Sequence, residues 1–136
     1  MVKIDIGYEG GLRCTATHGP SGQTVFTDAP VDNHGQGESF SPTDLVATAL
    51  GACMATIMGI AAERHEIDLR GMHIEVTKVM SVDTPRRIAK LATTIKIPLP
   101  SDHPQRALLE NAALTCPVHK SLSTEMEKPV DFAWVG

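Results

Sequence analysis

Ser41–Arg64, SPTDLVATALGACMATIMGIAAER, is the stretch around which the rest of the chain is read. From Leu45 to Ala62 it holds no charged residue, eighteen positions in a chain that otherwise scatters charge throughout. Its start is well marked. Ser41 suits an N-cap, Pro42 the first helical position, and Asp44 the place from which a capping-box acid reaches back to a free amide. Val46, Leu50, Cys53, Ile57 and Ala61 then fall on one stripe at helical spacing. The other faces are small or apolar as well, which predicts a helix buried nearly all round. At about 1.5 Å per residue it is roughly 30 Å long, the diameter of a small domain. Cys53 lies near its middle, flanked by Gly51, Ala52 and Ala55. Taken alone, Cys53 is a small buried hydrophobe. A second cysteine far down the chain, Cys116, changes that weighting.

The length of 136 residues predicts a single domain over 1–136, with enough chain for a core and little to spare. Eighteen uncharged residues just reach the length of a membrane span. The run is rich in Ala, Gly and Thr, acidic residues lie close by, and no further apolar segment follows, so no membrane partner is expected. The N-terminal MVKIDIGYEGG has no apolar core of a signal peptide. A formal charge of −4 leaves no basic footprint for nucleic acid. Three cysteines without an export signal point to a reducing, cytoplasmic setting, where a disulfide is catalytic or redox-sensing.

Outward from the helix, the N-terminal part reads as an antiparallel meander. Val2, Ile4, Ile6 and Tyr8 alternate with Lys3, Asp5, Gly7 and Glu9; Gly10-Gly11 turns the chain; Leu12–His18 is a second strand carrying Arg13 and Cys14. His18–Gly22 turns again and Gln23–Asp28 makes a third strand. Cys14 reads as a packed strand thiol. Ala29–Phe40 is a loop too polar and too Gly-rich to pack, placed to line a site because it delivers the chain into the helix. Beyond the helix, Met72–Met80 and Arg87–Ile97 alternate as strands, the second with Ala89, Leu91, Thr93, Ile95 and Ile97 on one face. A helix opens at about Pro104, with Leu108, Leu109, Ala112 and Ala113 as its stripe. Thr115–His119 interrupts it, a short helical run goes on towards Met126, and Val130, Phe132 and Trp134 close the fold with a last strand. The order is that of an α+β protein with mainly antiparallel sheets.

On local grounds Cys116 has the better claim to reactivity. Pro117 suits the first position of a helix, which puts Cys116 at its N-cap, where free amides stabilise a thiolate. The plainer alternative is a kink with a buried thiol. Cys116-x-x-His119 is also a ligand-like spacing to which Cys53 could add, but no second closely spaced Cys/His pair exists for a structural zinc site. His34, His65, His73 and His103 read as solvated. Cys53 and Cys116 stand sixty-three residues apart, too far for a local motif. As a pair they suggest one thiol oxidised to a sulfenic acid and the other resolving it as a disulfide.

Ser41-Pro42-Thr43-Asp44-Leu45 leading to Gly51-Ala52-Cys53-Met54, with Thr115-Cys116-Pro117-Val118 in the second helical region, resembles the OsmC/Ohr superfamily, the osmotically inducible and organic hydroperoxide resistance proteins. The resemblance covers nearly the whole chain. It implies an OsmC-like fold, with antiparallel sheets around a long central helix, and an intertwined homodimer with two composite sites. It also implies a thiol-dependent peroxidase in which Cys53 attacks and Cys116 resolves, the reverse of the local ranking. No bound cofactor is implied. The partners are a small hydroperoxide and a dithiol reductant, often a lipoylated protein. Where hydroperoxide resistance members carry Asn-Pro-Glu, this chain has Ser41-Pro42-Thr43, so the arginine-orienting glutamate is replaced by Thr43. Asp44 is the nearest acid, serving in its stead or only capping the helix, and Arg13 is the one arginine before Cys53. The pattern looks closer to the OsmC-like branch.

The expectation is therefore a cytoplasmic homodimer that reduces organic hydroperoxides with Cys53 and Cys116, aided by Arg13 and Asp44. The alternative is a non-peroxidase of the same fold holding a small thiol or acyl ligand in the dimer cleft. A third, from a different class, is a metal-stabilised interaction domain.

Overall fold

In a computed structural model that describes all 136 residues, the N-terminal alternation becomes strand β1 (Ile4–Gly10), followed by β2 (Arg13–His18) and β3 (Thr24–Asp28). They pair as the antiparallel meander β1-β2-β3. The first turn runs through Gly10, Gly11 and Leu12, all at positive φ (84°, 62° and 64°), a path that two glycines make inexpensive. A bulge at Glu9 shifts the register beside that turn. These strands belong to the first of two compact units, Met1–Val46; the second is Ala47–Gly136.

The loop after β3 is more ordered than its composition predicts. It contains a short 3-10 turn, Val31–Asn33, and its backbone is tied down by Asn33 N and Gly35 N to Pro30 O (both 2.9 Å) and by Gly37 N to Ala29 O (3.2 Å). The glycines that suggested a loose segment allow this closeness: a side chain at Gly35 would run into the backbone of Ala29.

The central helix, α1, spans Pro42–Glu63. Its start is the predicted capping box: Ser41 N donates to Asp44 Oδ2 (2.9 Å) and Asp44 N donates to Ser41 Oγ (3.1 Å). The buried face differs from the expected stripe. Ala47, Leu50, Gly51, Met54, Met58 and Ala62 are buried, whereas Cys53 and Ile57 are half-buried and Ala52 and Ile60 are exposed. Burial all round is not what one copy of this chain provides. A helix small and apolar on every side carries no periodic signal saying which side is covered. By length and hydropathy α1 could cross a membrane, a test that the core helix of a soluble protein passes equally.

In the second unit, β4 (His73–Met80) and β5 (Ile88–Ile97) pair antiparallel, and β6 (Val130–Trp134) joins β5 in parallel, with Thr93 opposite Val130 and Ile97 opposite Trp134. This sheet is therefore mixed rather than antiparallel. The crossover from β5 to β6 carries two helices, α2 (Arg106–Leu114) and α3 (Pro117–Ser121), and a crossover of that kind is what returns a strand in parallel. Leu91, Thr93, Ile95 and Ile97 are buried on the predicted face of β5. Gly51 lets α1 lie close to β4, since a Cβ there would stand 3.0 Å from Val76 Cγ2 and 3.4 Å from Ile74 Cγ2. In α2, Leu109 and Ala113 are buried but Leu108 is exposed. The helical run expected to reach towards Met126 ends at Ser121. His103, expected in solvent, is half-buried and accepts from Gln105 N through Nδ1 (3.1 Å).

Candidate functional site

The second unit closes the long sequence gap between two of the three thiols. Cys53, in the middle of α1, is half-buried, and Cys116 is fully buried; all three cysteines are free. The Cys53 side chain lies near enough to the Cys116 thiol to raise its pKa. Local sequence explains the placing of Cys116. Thr115 ends α2, Pro117 opens α3, and Cys116 between them adopts an extended N-cap conformation (φ −64°, ψ 149°) with Sγ accepting from His119 N (3.3 Å).

The N-cap is as predicted, but its electrostatic consequence is not. Burial pushes the Cys116 thiol up, and the neighbouring Cys53 adds to the rise; the His119 and Val118 amides pull the other way and lose. A helix of five residues has little dipole to oppose the loss of water. Cys116 is thus held as the neutral thiol, and the thiol with access to solvent is Cys53. His119 has its basicity lowered by burial, then by Lys128 and Lys120, and its Nδ1 is buried with no partner. Cys116-x-x-His119 does not become part of any group of three His, Cys, Asp or Glu side chains able to hold a metal ion.

Arg13 lies in the first unit, on β2, in register with Asp28 at the end of β3. Its Nη2 pairs with Asp28 Oδ2 (3.5 Å) and closely with the Glu38 carboxylate. Glu38 N also donates to Asp28 Oδ2 (3.0 Å), so loop and strand converge on one guanidinium. Glu38, then Asp28, raises the already high Arg13 pKa, so the cation is permanent. Asp28 is 1% exposed and its Oδ1 has no partner. A cavity of about 310 Å³ adjoins this cluster, lined by Glu9, Arg13, Phe26, Asp28 and Glu38 among others, with the half-buried Cys14 also in its wall.

Asp28 and Glu38 are the residues that sequence inspection missed. The signal for Asp28 was present: counting the ladder out from the His18–Gly22 turn sets it opposite Arg13. Glu38 had none, because only the folded loop brings it back. The carboxylates on Arg13 are those of Asp28 and Glu38, while Asp44 serves the capping box. Thr43 Oγ1 lies 3.2 Å from Ser41 Oγ.

Comparison with known proteins bears on the family and the fold. The family model described as OsmC-like protein matches residues 35–128. A crystal structure from Psychrobacter arcticus 273-4, provisionally named an osmotic stress induced and detoxification response protein, shares 45% identity over 97% of this chain and 96% of that one, with a TM-score of 0.90. The organic hydroperoxide resistance protein OsmC of Legionella pneumophila has the same fold at 16% identity, covering 98% and 96% of the two chains with a TM-score of 0.75. A Vibrio cholerae structure, provisionally named an organic hydroperoxide resistance protein and holding captopril in one of its active sites, matches at 17% identity over 96% and 90%, again with a TM-score of 0.75. A search of curated proteins returned no match.

Proposed function

The chain belongs to the OsmC-like family of the OsmC/Ohr superfamily, and on that premise we propose that it is a thiol-dependent peroxidase for organic hydroperoxides. One observation carries the proposal: an accessible thiol, Cys53, is set against a sealed one, Cys116, although nothing local in the sequence links them. In the reaction, the Cys53 thiolate attacks the terminal oxygen of the hydroperoxide and the O–O bond breaks. The alkoxide leaves as an alcohol after taking a proton, and Cys53 becomes a sulfenic acid. The Cys116 sulfur then displaces water from that sulfenic acid and closes a disulfide. A dithiol reductant, in keeping with the family a lipoylated protein, returns both thiols by exchange.

Arg13, fixed by Asp28 and Glu38, is proposed as the cation that favours the Cys53 thiolate, with the composite sites of a homodimer bringing the groups together. Support for the dimer comes from an uncovered apolar row on β1: Ile4, Ile6 and Tyr8 are 58–67% exposed. A cytoplasmic setting is part of this reading, since a thiol pair that works by turnover needs a reducing compartment. Steady consumption of cumene hydroperoxide by purified protein with a dithiol tests the activity. No consumption, even in a single turnover by fully reduced protein, would favour the second reading, a non-peroxidase of this fold that holds a small ligand. The captopril in the Vibrio cholerae relative is the observation on that side.

A further inference from the structure

The cavity beside Arg13 has a charge pattern that the peroxidase reading does not explain. Three carboxylates, from Glu9, Asp28 and Glu38, line it with a single guanidinium, that of Arg13. Arg13 is already engaged by two of them. Glu9 sits at a bulge of β1 and accepts a hydrogen bond from Thr15 Oγ1, so it is held rather than free to swing away. Asp28 is buried, with one oxygen accepting from Glu38 N and the other, Oδ1, without a donor. Phe26 supplies an apolar wall. Its volume of about 310 Å³ is at the small end of the range for pockets that hold small molecules.

We propose that this cavity is a charge filter: it admits small uncharged organic molecules and excludes those bearing a carboxylate, with Glu38 and Glu9 as the residues that set the filter. An arginine in an empty pocket ordinarily attracts carboxylates through a two-pronged contact. Here that contact is taken internally. An entering carboxylate has to displace Glu38 or lie unpaired beside three like charges, and specificity of this kind comes from repulsion as much as attraction. An uncharged molecule with a hydroxyl or hydroperoxyl group meets no such penalty. Its apolar body lies on Phe26, and its O–H supplies the donor that Asp28 Oδ1 lacks.

The filter's consequence for substrate choice rests on the peroxidase reading; the filter itself does not, and the two are tested separately. For binding, the inert probes are 2-phenyl-2-propanol and its para-carboxylated analogue, titrated against full-length protein while the Phe26 ring and Arg13 side-chain resonances are followed by NMR. The alcohol should shift both sets of signals, and the carboxylate should bind at least about tenfold more weakly. That gap should shrink several-fold in 1 M salt, where the screening length falls to about 3 Å, and a purely steric preference would not respond in this way. It should also shrink in Glu38→Gln and, less, in Glu9→Gln. Equal or tighter binding of the carboxylate, or no shift at Phe26 and Arg13 with either probe, overturns the filter. For catalysis, cumene hydroperoxide should show at least about a tenfold higher kcat/KM than its para-carboxylated analogue, narrowing in the same two variants. Absence of turnover with both peroxides sinks the peroxidase reading and leaves the binding result to judge the filter.

Discussion

The Cys116 thiol, sealed from solvent at the N-cap of α3, has the Cys53 side chain of α1 as a neighbour that raises its pKa across sixty-three residues of sequence. The two sulfurs are placed differently. Cys53 is half-buried and Cys116 is wholly enclosed, and the enclosure holds Cys116 neutral.

That asymmetry predicts two different failures. Cys53→Ser should not consume cumene hydroperoxide even once, because a serine hydroxyl is a weak nucleophile without a base to activate it. Cys116→Ser should react once and leave a sulfenic acid at Cys53. If Arg13 completes the site as proposed, Arg13→Ala should slow the first step without affecting resolution. Dimedone labelling after one equivalent of peroxide checks all three. A label at Cys116 in Cys53→Ser, with none at Cys53 in Cys116→Ser, would reverse the roles.

The raised pKa of Cys116 gives a pH dependence of definite sign. In the unfolded chain this thiol ionises near its ordinary value of 9.0, and in the folded protein it ionises higher. The stability from keeping it protonated is fully present below 9.0 and is lost as pH climbs through the folded value. Urea unfolding between pH 7 and 10 should show that decline, reduced in Cys116→Ala. His119 has the opposite window. Its folded value lies below 6.5, so its contribution is present above 6.5 and fades as pH falls through the folded value. His119→Gln should flatten the acid limb, and an unchanged slope would mean that another group controls it.

Removing either half of the capping box should lower stability by about 0.5–2 kcal/mol, since each leaves an orphan amide at the start of α1. Ser41→Ala and Asp44→Ala are the variants, read by urea midpoint. A non-additive double variant is expected, because the two hydrogen bonds are reciprocal.

Gly51 should tolerate Ala but not Val. With a Cβ 3.0 Å from Val76 Cγ2, Ala needs a shift of a few tenths of an ångström, offset by the roughly 0.5–1 kcal/mol that Ala gains over Gly in a helix. Val adds further methyl groups against Val76 and Ile74, with an overpacking cost of about 1–3 kcal/mol. Thermal unfolding of the two variants separates these cases.

If the uncovered apolar row of β1 meets a second copy, Ile6→Glu should weaken or abolish the dimer. Sedimentation at micromolar concentration should show wild type as a dimer and the variant shifted to monomer. A folded wild-type monomer would contradict the proposed assembly.

Much of this molecule was legible in the chain itself. The helix start at Ser41, Pro42 and Asp44, the turns at Gly10-Gly11 and at His18–Gly22, the alternating faces of β4 and β5, and the N-cap at Cys116 all depend on neighbours a few residues away. Such features follow from local geometry and period, which a sequence displays directly. The paired cysteine motifs likewise pointed to the family. Tertiary structure alone decided the rest. Which face of α1 is covered could not be read, because every face of it is apolar or small. The parallel docking of β6 depended on how a two-helix crossover returns to the sheet. The Cys116 thiol is set by burial, which overrules the helix-end effect that its sequence suggests. Arg13 acquired Glu38 as a partner only when the loop folded back on itself, since an ion pair across twenty-five residues depends on backbone closure rather than on spacing.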